Sequence, residues 1–468
     1  MENLNGKVVV FTLLLFLSLS ILSLFSGHLE RFWPQAGNIN IFSDITPSLH
    51  EPSAKVAQSN NAAAETAGVD AAGVLQEESA GQRFSRYQLA GRFASFDSAS
   101  FDAALPGLKS KLAALKRHEK IKVRIAWFGD SLIEGDLITQ TVRELLQNEF
   151  GGAHGVGFVP FRSITAGFRT SATAMSSGSW REENFKNANA TTPLFFSGHL
   201  FYSGNGQFTL RDNTVKDSLQ VVEKWLICGR SAAPATIMVN GHPVNITATE
   251  RFNRILLDRS PSRLIRVQIP SAGNLPLYGV SSEPEYGVVI DNFSFRGISG
   301  VELGKLDDAL LESMNSSGQY DLIVIQYGVN LMFRPKDTNY DYYYEIMMPV
   351  VRHLKEHMPK SEFLLVSCSD RAFRYGGEWK TATGIDSLVK VQARIAFENR
   401  IPFFNLYKSM GGDGTIVKWA EGKPQLAAKD YIHASPAGAA VLGRCFYDAF
   451  MNDCREPVTT TMYTSRPK

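Results

Sequence analysis

Through its last third the chain alternates short apolar runs with amphipathic stretches, and this order restricts the available folds more than any motif does. A helical pattern near 303–314 leads to an apolar run at 321–326. Then come a helical stretch at 340–358 closed by Pro359, a run at 363–368, a helical stretch at 384–399, a run at 402–406 and a last helical pattern to Phe450. Unbroken apolar runs are strands buried on both faces, and strands that alternate with helices are joined by crossovers. The expectation is a three-layer α/β/α domain around a parallel sheet. A helical pattern at 105–118 and the apolar residues Val123, Ile125, Trp127 and Phe128 supply a further helix and strand ahead of it.

From Pro193 to Ile290 the helical period disappears. Short alternating runs at 194–201, 207–210, 221–226, 236–239 and 264–269 are broken by Gly, Asn, Asp and Pro, the pattern of a β-sandwich. The expected organisation is a hydrolase domain at 83–165 and 286–455, interrupted by a sandwich at 166–285.

Four short blocks carry chemistry. The strand ending at Phe128 breaks into Gly129-Asp130-Ser131 before an amphipathic stretch, a way of presenting a serine hydroxyl beside the unpaired N–H groups of a helix start. At the far end stands Asp430-Tyr431-Ile432-His433, followed by Ser435-Pro436, an N-cap and first helical residue. A serine needs a base, and an imidazole serves when a carboxylate fixes its tautomer. Between these lie Tyr327-Gly328-Val329-Asn330, directly after a strand-like run, and Arg296-Gly297-Ile298-Ser299-Gly300, after another. Ligands of open α/β sheets bind at the carboxyl ends of strands, and a glycine there lets a backbone N–H approach a substrate oxygen.

In this order the blocks resemble the SGNH (GDSL-like) hydrolase superfamily, named for its Ser, Gly, Asn and His. The resemblance implies Ser131 as nucleophile, His433 as general base and Asp430 as its orienting carboxylate. The Ser131 N–H, the Gly300 N–H and the Asn330 amide would form the oxyanion hole, with Gly297 competing for the place of Gly300. Leu331 stands where many members have Asp, the mark of a divergent branch. Gly155-Val156-Gly157-Phe158-Val159-Pro160, Leu277-Tyr278-Gly279-Val280-Ser281 and the interrupting sandwich look like the bacterial peptidoglycan O-acetylesterases, whose insert resembles a carbohydrate-binding module. That likeness spans roughly 122–450 and implies an acetylated glycan as substrate. A polysaccharide O-acetyltransferase would use the same residues, and a glycan-binding protein with a decayed site would keep the fold. Polysaccharide- or cell-wall-modifying proteins are the partners such an enzyme would have. Trp180, Trp225, Tyr202 and Tyr278 are either sugar-stacking or core residues of the sandwich.

Several classes drop out. No Gly-x-Ser-x-Gly elbow surrounds Ser131, and there is no Cys-x-x-Cys or His-Glu-x-x-His, so neither a metal nor another cofactor is expected. The glycine-rich run at 151–157 follows a helix rather than a strand, which makes it a loop, with His154 a loop histidine. Across 468 residues the formal charge is +2, which argues against nucleic acid as partner. Cys445 and Cys454 are either a disulfide or free thiols, and Cys228 and Cys368 show no metal spacing. The run from Val8 to Phe25 is long enough to span a bilayer and lacks a small-residue cleavage site after it. A signal anchor at 1–37, a low-complexity tether at 38–82, a catalytic domain outside the cytoplasm and a tail at 456–468 are therefore expected.

Overall fold

The computed structural model describes residues 79–97, 105–189, 191–270, 275–317 and 320–454. Five strands form a parallel sheet: β1 (Lys122–Gly129), β2 (Gly287–Ser294), β3 (Leu322–Gln326), β4 (Glu362–Val366) and β5 (Phe403–Phe404), in spatial order β2-β1-β3-β4-β5. In register, Gly129 lies opposite Ser294 on one side and Gln326 on the other. The carboxyl ends of the three central strands therefore finish level, and all three sequence blocks that follow them emerge at one edge. Every residue of β3 is buried, as a strand covered on both faces requires.

The longer helices around the sheet are α1 (Pro106–Lys116), α2 (Leu137–Glu149), α3 (Asp308–Ser317), α4 (Asp341–His357), α5 (Ile385–Glu398) and α6 (Pro436–Cys454). The predicted helices at 105–118, 340–358 and 384–399 agree with α1, α4 and α5 within two residues. α2 and α6 approach closely, since a Cβ on Gly443 would come within 2.8 Å of Thr141 Cβ. The stretch predicted as one helix at 303–314 divides into a 3-10 turn at Val301–Lys305 and α3, because the Asp307 carboxylate caps Leu310 N–H and restarts the helix.

The expected fold needs correction in two respects. A single α/β/α layer pattern with a separate insert is not what forms; the described residues are mixed α/β, with one parallel and several antiparallel sheets. The runs read as sandwich strands do become antiparallel strands, among them Gly206–Asp212, Val222–Cys228, Ala235–Val239 and Leu264–Ile269. Strand Gly157–Pro160, assigned by sequence to the hydrolase part, pairs antiparallel with Leu277–Pro284. The antiparallel sheets enclose a second core of their own, with Phe201, Phe208, Leu226, Ile237 and Val267, while the core of the parallel sheet reaches into their edge. Phe128 and Phe293 of the parallel sheet meet Phe196, and Phe158, Phe195 and Tyr278 extend the same aromatic cluster. Rings of this size bury too much surface to leave a wet boundary between two lobes.

The second correction concerns the membrane. No helix among the described residues is long and apolar enough to cross a bilayer. The expected anchor at 1–37, the tail at 456–468 and all but the last few residues of the tether lie outside the described residues. The four cysteines are free thiols. Cys445 and Cys454 share α6, where nine residues separate them by about 13 Å of helix, too far for a disulfide.

Candidate active site

β1 ends at Gly129, where any side chain would collide: a Cβ there would lie 2.8 Å from Ile133 and 3.0 Å from the Gln326 carbonyl. The chain therefore folds back over the strand end, and Asp130 is buried beneath it with Oδ1 accepting the Leu132 N–H at 2.9 Å. Burial pushes the Asp130 carboxyl up to about 7 against the pull of that N–H. Ser131 does not open the next helix as predicted. A turn and a 3-10 segment intervene, Asp136 takes a left-handed φ of 67°, and α2 starts only at Leu137.

The structure brings Ser131, His433 and Asp430 together. Ser131 Oγ lies 2.8 Å from His433 Nε2, and His433 Nδ1 lies 2.7 Å from Asp430 Oδ2. A carboxylate only accepts, so Nδ1 carries the hydrogen and Nε2 presents its lone pair to the serine hydroxyl. Asp430 Oδ1 also accepts the N–H groups of Ile432 and His433. Partial burial pushes the Asp430 carboxyl upward, but the His433 ring and these two backbone donors outweigh it and hold it below its ordinary value. The His433 and Asp430 side chains are 41% and 45% exposed, so the relay is open to a substrate from solvent. Ser435 caps α6 by accepting the Gly438 N–H at 3.2 Å.

Asn330 arrives beside the same serine. Its Nδ2 donates to the Ile298 carbonyl at 2.9 Å and to Asp130 Oδ2 at 3.2 Å, which ties the three blocks at the ends of β1, β2 and β3 into one network. Both candidate glycines have left-handed φ values, 94° for Gly300 and 72° for Gly297. Gly300 packs against the Tyr327 ring, where a Cβ would meet Cδ2 at 2.6 Å, while Gly297 sits near Lys186 Nζ. Tyr343 of α4 braces this loop by donating to the Ser299 carbonyl at 2.8 Å.

Sequence reasoning missed the residues that hold these blocks. Beneath the serine loop, Arg143 of α2 grips the buried Asp136 carboxylate with two bonds of 2.7 and 2.8 Å, and Arg169, Ser171 and Thr139 complete the shell. Burial alone would raise the Asp136 carboxyl; the two guanidinium groups reverse that and hold it far below the carboxylate range. Asn292 donates to the Ile133 carbonyl at 2.8 Å and so fixes the loop from β2. Beneath the histidine loop lies a hairpin of Ala372–Tyr375 and Glu378–Thr381, in which Trp379 stacks on Tyr431 at 3.9 Å and the Ala372 N–H donates to the Tyr431 carbonyl. Arg371 reaches from the hairpin to the Val329 carbonyl at 2.9 Å. The Gly376-Gly377 pair at the hairpin tip was a usable signal.

A cavity of about 560 Å³ is lined by Glu134 of the serine loop, Arg296 of the glycine loop and residues of the antiparallel region including Arg162, Lys186, Ser197 and His199. Glu134 pairs with Arg296 at 2.7 Å, His199 lies 2.9 Å from Glu182, and the buried Ser197 hydroxyl has no hydrogen-bond partner among the described residues. The aromatic residues singled out for sugar stacking are engaged within the protein: Tyr278 is buried on Phe195, Trp180 stacks on Phe161, and Arg181 and Arg254 cover Tyr202 and Trp225. His154 is a loop residue, 2.9 Å from Asn148 Oδ1.

No protein-family profile matches the chain, and no curated protein sequence does. Among solved structures, a peptidoglycan O-acetylesterase superposes with a TM-score of 0.63 at 20% identity, over 74% of this chain and 96% of that one. The fold is that of an SGNH hydrolase. Shorter overlaps occur with a GDSL-like lipase from Parabacteroides merdae (TM-score 0.28, 16% identity, 35% of this chain and 72% of that one). An acetyl xylan esterase from Geobacillus stearothermophilus overlaps similarly (0.27, 17%, 36% and 74%), and at this level neither carries an argument. On an SGNH hydrolase fold the edge where β1, β2 and β3 end is where Ser131, Gly300 and Asn330 stand in this chain.

Proposed function

We propose that this chain, with its SGNH hydrolase fold, is a serine esterase that removes O-acetyl groups from a glycan, with O-acetylated peptidoglycan as substrate. The carrying observation is the relay from Asp430 through His433 to Ser131, with both links within 2.8 Å. The superposition on a peptidoglycan O-acetylesterase supports the choice of substrate, and the side chains of Glu134, Arg162, Lys186 and Arg296 in the cavity beside the serine loop offer hydrogen-bonding groups to a saccharide. Such a glycan is met outside the cytoplasm, and the reading carries that location with it.

Ser131 Oγ attacks the acetyl carbonyl carbon while its proton passes to His433 Nε2. The oxyanion is held by the N–H groups of Ser131 and Gly300 and by the Asn330 amide. Both Asn330 amide hydrogens are already bonded, so one bond opens when the oxyanion forms, and the longer one to Asp130 is the weaker. Collapse expels the sugar hydroxyl, which takes the proton from His433. Water then attacks the acetyl-serine, gives its proton to His433, and releases acetate with the serine restored.

The test is acetate release from O-acetylated peptidoglycan without added acceptor, run beside Ser131→Ala. A loss of about 10⁴-fold or more with the serine removed is expected. Cleavage of a small acetyl ester through Ser131 with peptidoglycan untouched would move the substrate to another glycan. Appearance of the acetyl group on an added sugar, with little acetate released, would make the protein a transferase, and unchanged release by Ser131→Ala would remove the relay from the chemistry.

A further inference from the structure

Three side chains that this chemistry does not use converge where α3 begins beside the last turns of α4. His353 and His357 stand one helical turn apart on α4, their ring centroids separated by 4.5 Å. Asp308 Oδ1 lies 3.4 Å from His353 Nε2, and Asp308 Oδ2 lies 3.7 Å from His357 Nε2. The three ligand atoms all fall within 4.8 Å of one another.

Two features say what this arrangement is for. His357 Nδ1 is 3.0 Å from the His353 carbonyl, which can only accept, so Nδ1 carries the ring hydrogen and a neutral ring points the Nε2 lone pair at a carboxylate oxygen. Apposed lone pairs need a positive charge between them, a proton or a bound cation. The separations of 3.4 and 3.7 Å, one to each Asp308 oxygen, are long for direct N–H···O bonds and close to the roughly 3.3–3.6 Å between donors that sit about 2.0–2.2 Å from a tetrahedral zinc ion. The bond from His357 Nδ1 to a backbone carbonyl is also the outer contact that orients metal-bound imidazoles.

We propose that Asp308, His353 and His357 bind one divalent transition-metal cation of the zinc class, with the remaining coordination open to water. Two imidazoles and a carboxylate suit zinc, copper or nickel rather than calcium or magnesium. The consequence reaches the catalytic edge. Asp308 follows Gly300 by eight residues, and α4 carries both Tyr343, bonded to the Ser299 carbonyl, and Met347, packed beside Gly300. A cation here fastens the start of α3 to the helix that braces the Gly300 loop. The inference does not rest on the esterase reading.

Calorimetric titration of the chelator-treated full chain with zinc chloride at pH 7.5, where an ordinary imidazole is neutral, tests it. One ion per chain is expected, with binding at least tenfold weaker in Asp308→Asn and lost in the double variant His353→Ala/His357→Ala. At a hundredfold excess of free zinc over Kd, Tm should rise by roughly 2–4 °C in the wild type and not in the double variant. Cobalt bound in place of zinc should show the visible absorption of a four-coordinate ion. The metal-free variants should melt with the metal-free wild type, because all three side chains are at the surface or partly exposed. No uptake by the wild type, or uptake undiminished in a double variant that melts normally, overturns the proposal.

Discussion

Two carboxylates flank the serine and differ in nearly everything else. Asp430 is almost half exposed and has the His433 ring as its side-chain partner, while Asp136 is sealed from solvent and holds Arg143 and Arg169 together with two hydroxyls. On the proposed mechanism the exposed carboxylate belongs to the part that exchanges protons with substrate and water, and the buried one to the part that must not move. A charge on the surface is cheap to alter structurally and costly to alter chemically; for a buried pair the reverse holds. Each substitution below separates these two kinds of dependence.

The largest effect should come from Asp430→Asn. An amide in place of the carboxylate no longer fixes the hydrogen on Nδ1 of His433, and kcat should fall by about 10³–10⁴-fold. Because the site is exposed, Tm should stay within a degree or two of wild type. A variant that loses activity only in proportion to lost folded protein would show that Asp430 is structural after all.

Arg143→Met should show the opposite division. Removing the guanidinium leaves Asp136 buried with Arg169 alone, at a cost of about 3–5 kcal/mol in urea unfolding, while the folded fraction retains measurable turnover. The sign with pH is fixed. Asp136 is held below its ordinary value, so its contribution is present above the unfolded carboxylate range near 4 and is lost as pH falls through and below that range. The gap between variant and wild type should therefore narrow in acid, and a gap independent of pH would assign the loss to packing around the arginine.

This contrast also explains what could be read in advance. The relay was legible because hydrolysis by serine demands particular residue types, and Ser131, Asp430 and His433 stand in short blocks next to strand or helix boundaries. The antiparallel strands were legible because Gly206–Asp212 and Leu264–Ile269 alternate in burial, and β3 because it does not. The support was not. Arg143 lies on a helix whose sequence shows an ordinary polar face, and nothing local says that its guanidinium turns inward to meet a left-handed Asp136 seven residues earlier. The separate insert was misjudged for a related reason: alternation reveals a strand but not which sheet it joins, and the Phe158–Phe195–Tyr278 cluster that unites the two regions appears only in three dimensions.

Asn330→Ala sits between the two classes. It removes a donor from the oxyanion and also frees Asp130 Oδ2, so kcat should drop by about 10²-fold with the protein still folded. Near-wild-type turnover would leave Asn330 a mere strut for the Ile298 carbonyl.

The smallest effect is the most discriminating, because it concerns Asp130, the one carboxyl that belongs to both regions. It is as buried as Asp136 yet has no guanidinium, and burial raises its carboxyl to about 7. Between the unfolded value near 4 and this folded value the native state keeps a proton that the unfolded chain has lost, so stability falls as pH rises. The slope is about 1.4 kcal/mol per pH unit, or about 2 kcal/mol from pH 5.5 to 7. Asp130→Asn should remove that slope while keeping an acceptor for the Leu132 N–H. Urea unfolding of both proteins at several pH values measures it. If the wild type shows no such fall, Asp130 is ionised in the folded protein, and the Asn330 amide is held by a full negative charge that the oxyanion must compete with.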